Sequence, residues 1–100
     1  MKLYIAGRIA GERNFEAKFR AACNEVFILG YEPVDPCAIH DGCCSTWEQF
    51  MHHDIRAMLD CDGVYALRDW RWSKGATIEV QLALRLGKVV VYQPAKERQQ

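Results

Sequence analysis

Two carboxylates stand where helices of a globular protein should be apolar. Glu79 lies in a stretch, residues 75–86, whose polar side at ~100° per residue is Thr77, Gln81 and Arg85, in line with Lys74 just before it. Glu79 points roughly opposite, with Ala76, Leu82, Ala83 and Leu86 as its angular neighbours. Burying a carboxylate there costs free energy unless it is paired or has a task. In the first turns of a helix the positive end of the dipole favours the ionised form. Glu79 therefore reads either as an ionised nucleophile at the rim of a cleft, or as a helix-start carboxylate that caps backbone amides or pairs with Arg68 or Arg71. Asp54 repeats the pattern on the preceding helix, within the arc of Trp47, Phe50, Met51 and Met58. Its alternative is a buried Asp bonded to a backbone amide or paired with Arg56 or His53. Two inward carboxylates on successive helices are what glycosidic-bond chemistry uses, one as nucleophile and one for proton or hydroxyl contacts.

Other residues carry weaker signals. Gly7-Arg8-Ile9-Ala10-Gly11 follows a strand and precedes a helix, so its N–H groups can meet a phosphate, or it is simply a glycine turn. Ser73 precedes the Glu79 helix, as an N-cap or as a hydroxyl for a phosphate. Trp70 and Trp72 are either walls for a base or packing residues. His52 and His53 read as solvated, and Asp62 as a turn residue. Cys43-Cys44 with His40, His52 and His53 fits no zinc spacing, so no metal site is expected.

These side chains need a scaffold, and the pattern supplies one. Leu3 to Ala6 is a first strand, stopped by Gly7. Asn14 caps a helix carrying Phe15, Phe19, Ala22, Val26 and Leu29 on one face, and Gly30 ends it. Tyr31 to Val34 is a second strand, and residues 35–44 form a loop. Ser45 caps a second helix, with Glu48 completing a capping box. That helix carries Trp47, Phe50, Met51, Ile55, Met58 and Leu59. Gly63 to Leu67 is a third strand, the RDWRWSKG loop leads to a third helix from Gly75 to Leu86, and Lys88 to Tyr92 is a fourth strand. The order βαβαβαβ predicts an α/β fold with a parallel sheet and helices on both faces. Ligands of such sheets bind beyond the strand C-termini. There the loops Gly7–Arg13, Asp35–Cys44 and Arg68–Lys74 should meet.

Composition narrows the class. The 100 residues hold 13 Lys+Arg and 13 Asp+Glu, with half of the chain hydrophobic. That predicts one domain over residues 1–94 with a polar tail at 95–100, and argues against binding of polymeric nucleic acid by bulk charge. No apolar run approaches the ~18 residues of a membrane span, and the N-terminus reads as no signal peptide. Five cysteines without an export signal suggest reduced thiols and a cytoplasmic protein.

Taken together, the residues spell a family resemblance. Tyr4-Ile5-Ala6-Gly7, Asn14-Phe15, Ala21-Ala22, Gly30-Tyr31-Glu32-Pro33-Val34-Asp35-Pro36, the block from Asp54-Ile55 through Met58-Leu59 to Asp62-Gly63-Val64, and Ser73-Lys74-Gly75-Ala76-Thr77 with Glu79, Ala83 and Gly87-Lys88-Val89-Val90 resemble the nucleoside 2-deoxyribosyltransferase superfamily. The similarity runs over nearly the whole chain, with a small phage and prophage branch the most similar. It implies a flavodoxin-like three-layer sandwich of four or five parallel strands. By the resemblance Glu79 is the nucleophile on C1′ of a deoxyribose. Asp54 holds the sugar hydroxyl and orients the nucleophile. Tyr4, Gly7, Arg8, Gly11, Ser73, Gly75 and Trp70 bind substrate.

Ser73 falls where the superfamily's 2′-deoxynucleoside 5′-monophosphate N-glycosidases carry Ser and its base-exchanging transferases carry Asp, which implies a 5′-phosphate on the substrate. Arg8 and Ala10 depart from the Ser and Arg those hydrolases carry, so the cation has moved or phosphate recognition differs. The resemblance thus implies an N-glycosidase on a nucleoside 5′-monophosphate, with base exchange as the alternative and a non-catalytic nucleotide-binding or protein-interaction module as a third. It implies no cofactor and a homodimer.

Overall fold

The computed structural model describes residues 1–39, 42 and 44–96. The strands are β1 (Lys2–Ala6), β2 (Glu32–Val34), β3 (Gly63–Ala66) and β4 (Val89–Tyr92). The helices are α1 (Phe15–Ile28), α2 (Pro36–Ile39), α3 (Trp47–Leu59) and α4 (Lys74–Arg85), with a 3-10 turn at Trp70–Trp72. All strand pairings are parallel, in the order β2-β1-β3-β4. The expectation of four or five strands resolves to four among the described residues.

Side-chain alternation along the two central strands sorts the core into two halves. Leu3 and Ile5 of β1, with Tyr65 and Leu67 of β3 and just beyond it, pack on Phe19, Ala22 and Val26 of α1. Tyr4, Ala6, Val64 and Ala66 face the other way, onto Met58 of α3 and Ala76, Val80 and Ala83 of α4. The result is a three-layer sandwich with α1 on one face and α3 and α4 on the other. Tyr4 thereby lands on the face that carries Asp54 and Glu79.

Several local expectations shift. Two frames in the sequence satisfy a capping box, and the chain uses Thr46 with Gln49 rather than Ser45 with Glu48. Thr46 Oγ1 accepts the Gln49 N–H at 3.1 Å, and Gln49 Oε1 accepts the N–H groups of Thr46 and Ser45. That frame turns Met51, Asp54 and Met58 inward. Residues 35–44 are not all loop. Pro36 pre-sets the first turn of α2, and Asp35 Oδ1 accepts the Cys37 N–H at 2.9 Å. Four residues are too few for a periodicity to reveal. Asn14 occupies the cap position of α1 without a side-chain bond. Leu29, Leu59 and Leu86 lie exposed at or beyond their helix ends, where the sheet no longer covers them.

Candidate active site

The crossover from one sheet face to the other falls between β1 and β3, and a cavity of about 630 Å³ opens at the C-terminal ends of these strands. That is the size and place expected of a small-molecule site in an open α/β sheet. Tyr4, Asp54 and Glu79 meet it from below. Gly7, Arg8, Ile9, Ala10, Phe15 and Phe19 form one wall, with Pro36 and Cys37 of α2 beside them. Trp47, Phe50 and Met51 of α3, Trp72, and the first turn of α4 form the other.

Both unusual carboxylates are buried, Asp54 at 7% and Glu79 at 4% exposure. The partner of Glu79 is none of the arginines considered for it. Tyr4 donates its hydroxyl proton to Glu79 Oε2 at 2.7 Å, while Arg68 donates to the carbonyl of Pro94 and Arg71 lies over the Trp70 ring. Burial raises the Glu79 pKa to about 8; the Tyr4 hydrogen bond pulls it down, and the charge of Asp54 pushes it up. Burial thus outweighs the helix dipole and reverses the expected preference of Glu79 for its ionised form. The residue sits in the second turn of α4, past the reach of the helix N-terminus, and desolvation dominates. Burial, with the two carboxylates, also raises Tyr4 well above its ordinary value, so its proton stays on. Asp54 Oδ1 lies 3.8 Å from His53 Nδ1.

At the head of α4, Ser73 is the cap, and its Oγ accepts the Ala76 N–H at 3.1 Å. Its own hydroxyl proton can still donate into the cavity. A Cβ on Gly75 would come within 2.9 Å of Met51 Sδ, so the Met51 side chain of α3 lies directly over the α4 backbone at the cavity wall.

Of the residues expected at the site, Tyr4, Gly7, Arg8, Asp54, Ser73, Gly75 and Glu79 line this one cavity. Gly11 and Trp70 are not among its lining residues. Gly11 has φ +79°, and the Arg8 guanidinium lies against it, so it supports Arg8 from behind. Trp70 packs on the α4 side of the core and against Tyr92. Trp72 stands at the mouth instead, 71% exposed.

Sequence reading overlooked Trp47 and Lys74 as site residues. They come together there, with Lys74 Nζ 4.2 Å from the Trp47 ring centroid. Their place at the first position of helices following β2 and β3 was the available signal. Cys37 was also overlooked; burial, with Asp35 next, pushes its thiol to about 12, so it is an inert wall residue. His40 and Cys43, weighed for a metal, lie outside the described residues. Among the described ones no three His, Cys, Asp or Glu side chains gather as a metal site.

Comparison with known proteins gives a family and a likeness of fold. Residues 1–92 match a family described as a domain of unknown function, DUF4406. The chain belongs to that family. The fold of this DUF4406 protein is similar to that of a 2-desoxiribosyltransferase from Leishmania mexicana, at TM-score 0.67 and 23% identity over 91% of this chain and 62% of that one. At that identity the likeness is one of fold, and it fits the expected flavodoxin-like sandwich. The DUF4406 chain spans less than two thirds of that structure's length. No curated protein matches the sequence. No helix among the described residues is long and apolar enough to cross a membrane.

Proposed function

We propose that this protein is an N-glycosidase that cleaves the base from a nucleoside 5′-monophosphate. The observation that carries the reading is the buried Tyr4–Glu79 hydrogen bond beside Asp54 at the floor of the cavity. In this reading the ionised Glu79 attacks C1′ of the sugar. The C1′–N bond breaks, the base leaves with its electron pair and takes a proton from solvent, and a glycosyl ester forms on Glu79. Water then attacks C1′ and loses a proton to solvent, the C1′–O bond to Glu79 breaks, and the free carboxylate and the sugar 5-phosphate are left. Tyr4 holds the attacking carboxylate in line, and Asp54 receives the sugar hydroxyl; such positioning is worth several kcal/mol. The phosphate lies toward Arg8, Lys74 and the Ser73–Gly75 turn. Trp47 and Trp72 flank the mouth and stack on the base. The residues named carry each step without a metal or organic cofactor.

Base exchange is the second reading, favoured by the fold likeness to a 2-desoxiribosyltransferase. A homodimer is part of the proposal. Trp47 and Trp72 line the cavity yet are 49% and 71% exposed, so its mouth is open on the side that a second copy would cover.

The test is free-base release from ribo- and deoxynucleosides and their 5′-monophosphates. Monophosphates alone should react, and Glu79→Ala should abolish release with the fold intact. Label exchange with added free base would establish the transferase instead. Full activity in Glu79→Ala would overturn the assignment, and ligand binding without any product would mark a binding module.

A further inference from the structure

Arg8 reaches the cavity from a segment without regular structure, residues 7–14, and something must hold it there. Two side chains from other segments do. Asp69, just before the 3-10 turn, accepts the Arg8 N–H on Oδ1 at 3.1 Å. Lys18, one turn into α1, donates to the Arg8 carbonyl at 2.6 Å. Lys18 Nζ and Asp69 Oδ2 close the ring at 2.5 Å, with Glu12 a further 3.9 Å from the ammonium. Both backbone polar groups of Arg8 are thus gripped by one ion pair whose ends are each 27% exposed. The Arg8 Nε donates to the carbonyl of Ala10 at 3.1 Å, and its guanidinium lies against Gly11. Neither Lys18 nor Asp69 lines the cavity, so their charges are turned to the loop rather than to a ligand.

An exposed ion pair alone contributes little. This one is different because each partner also makes a charge-assisted bond to backbone, and a loop with few apolar contacts is otherwise the part of a fold that opens first. We propose that Lys18 and Asp69 are positioning residues: they preset the Gly7–Ala10 loop so that Arg8 and the loop meet an anionic substituent of the ligand. The inference rests on the reading above in taking that substituent to be a sugar phosphate.

The test is binding of 2-deoxyribose 5-phosphate and of 2-deoxyribose by calorimetry, which needs no turnover. Asp69→Asn keeps the shape and one of the two acceptors but loses the charge; Lys18→Met loses the donor; Lys18→Arg keeps the charge. Asn and Met should weaken phosphosugar binding roughly tenfold, with deoxyribose affinity and the melting temperature little changed and Arg restoring most of the loss. In the base-release assay KM should rise with kcat nearly constant. Phosphosugar binding equal to wild type in both Asp69→Asn and Lys18→Met would overturn the proposal, as would a wild type that binds phosphosugar no better than deoxyribose. Clamp-dependent phosphosugar binding without base release would sustain the clamp and refute the hydrolase, so the two failures are distinct.

Discussion

A nucleophilic carboxylate works only when ionised, and the burial of Glu79 opposes that. Burial pushes the Glu79 pKa up to about 8, which holds the carboxyl of the free protein toward its protonated form near neutral pH. The kcat/KM for base release should therefore climb through about pH 8. Tyr4 supplies the force that lowers that pKa, so Tyr4→Phe should move the profile further up and reduce activity at pH 7. A profile flat from pH 6 to 9 in the wild type would contradict this.

The same shift has a stability sign. The folded pKa lies above the unfolded one, so between the ordinary carboxylate value and about 8 the unfolded chain binds fewer protons, and stability falls as pH rises through that window. Glu79→Gln keeps the Tyr4 hydrogen bond and removes this penalty. It should be more stable than wild type by a few kcal/mol at pH 8 and nearly equal at pH 4, as checked by urea denaturation at both values.

Among the elements, α3 and α4 carry the acidic groups, and each owes its frame to a cap. The Thr46–Gln49 box starts α3 in the register that turns Asp54 inward. Thr46→Ala should cost about 1 kcal/mol of stability, read as a lowered denaturation midpoint, whereas Ser45→Ala should cost little. Cap choice was readable in the sequence only to within one residue, because two overlapping frames satisfied the same pattern. The helix periodicity of α1, α3 and α4 was readable without such ambiguity, and Phe19, Ala22, Met58, Ala76 and Ala83 are buried as their spacing required. Leu29, Leu59 and Leu86 fit the same periods yet are exposed. A helical wheel records direction and not how far the sheet extends, and the ends of these helices overrun it.

At the scale of the molecule, the radius of gyration of 12.9 Å is what 100 residues in one compact unit would have. The sheet's two edges differ. β2 is three residues long, and Pro33 leaves its outer edge without an N–H donor, while β4 is the unbroken run Val89–Tyr92. Apolar side chains are also exposed on α3 and α4, Trp47, Leu59, Ile78 and Leu84 among them. The homodimer proposed above should appear as twice the chain mass in light scattering. Ile78→Lys should shift it toward monomer if the second copy sits on this face, and a wild type that is monomeric at high concentration would remove that part of the proposal.

The alternation of strands and helices, the parallel sheet that follows from it, and the two carboxylates out of place on their helices are written in the order of the residues alone. These are local properties, set by periods of 2 and 3.6 residues and by the cost of burying charge. The tertiary structure decided what those carboxylates face. Tyr4 and Glu79 are 75 residues apart in the chain, and only the strand alternation that turns Tyr4 toward α4 brings them to 2.7 Å. It also raised the pKa of Glu79, because desolvation depends on everything packed around the group and not on its position in a helix. Likewise it decided that Trp47 and Trp72, and not Trp70, stand at the mouth. A ring can stack on the core or on a ligand with the same chemistry, and only the packing of its neighbours leaves one of them open.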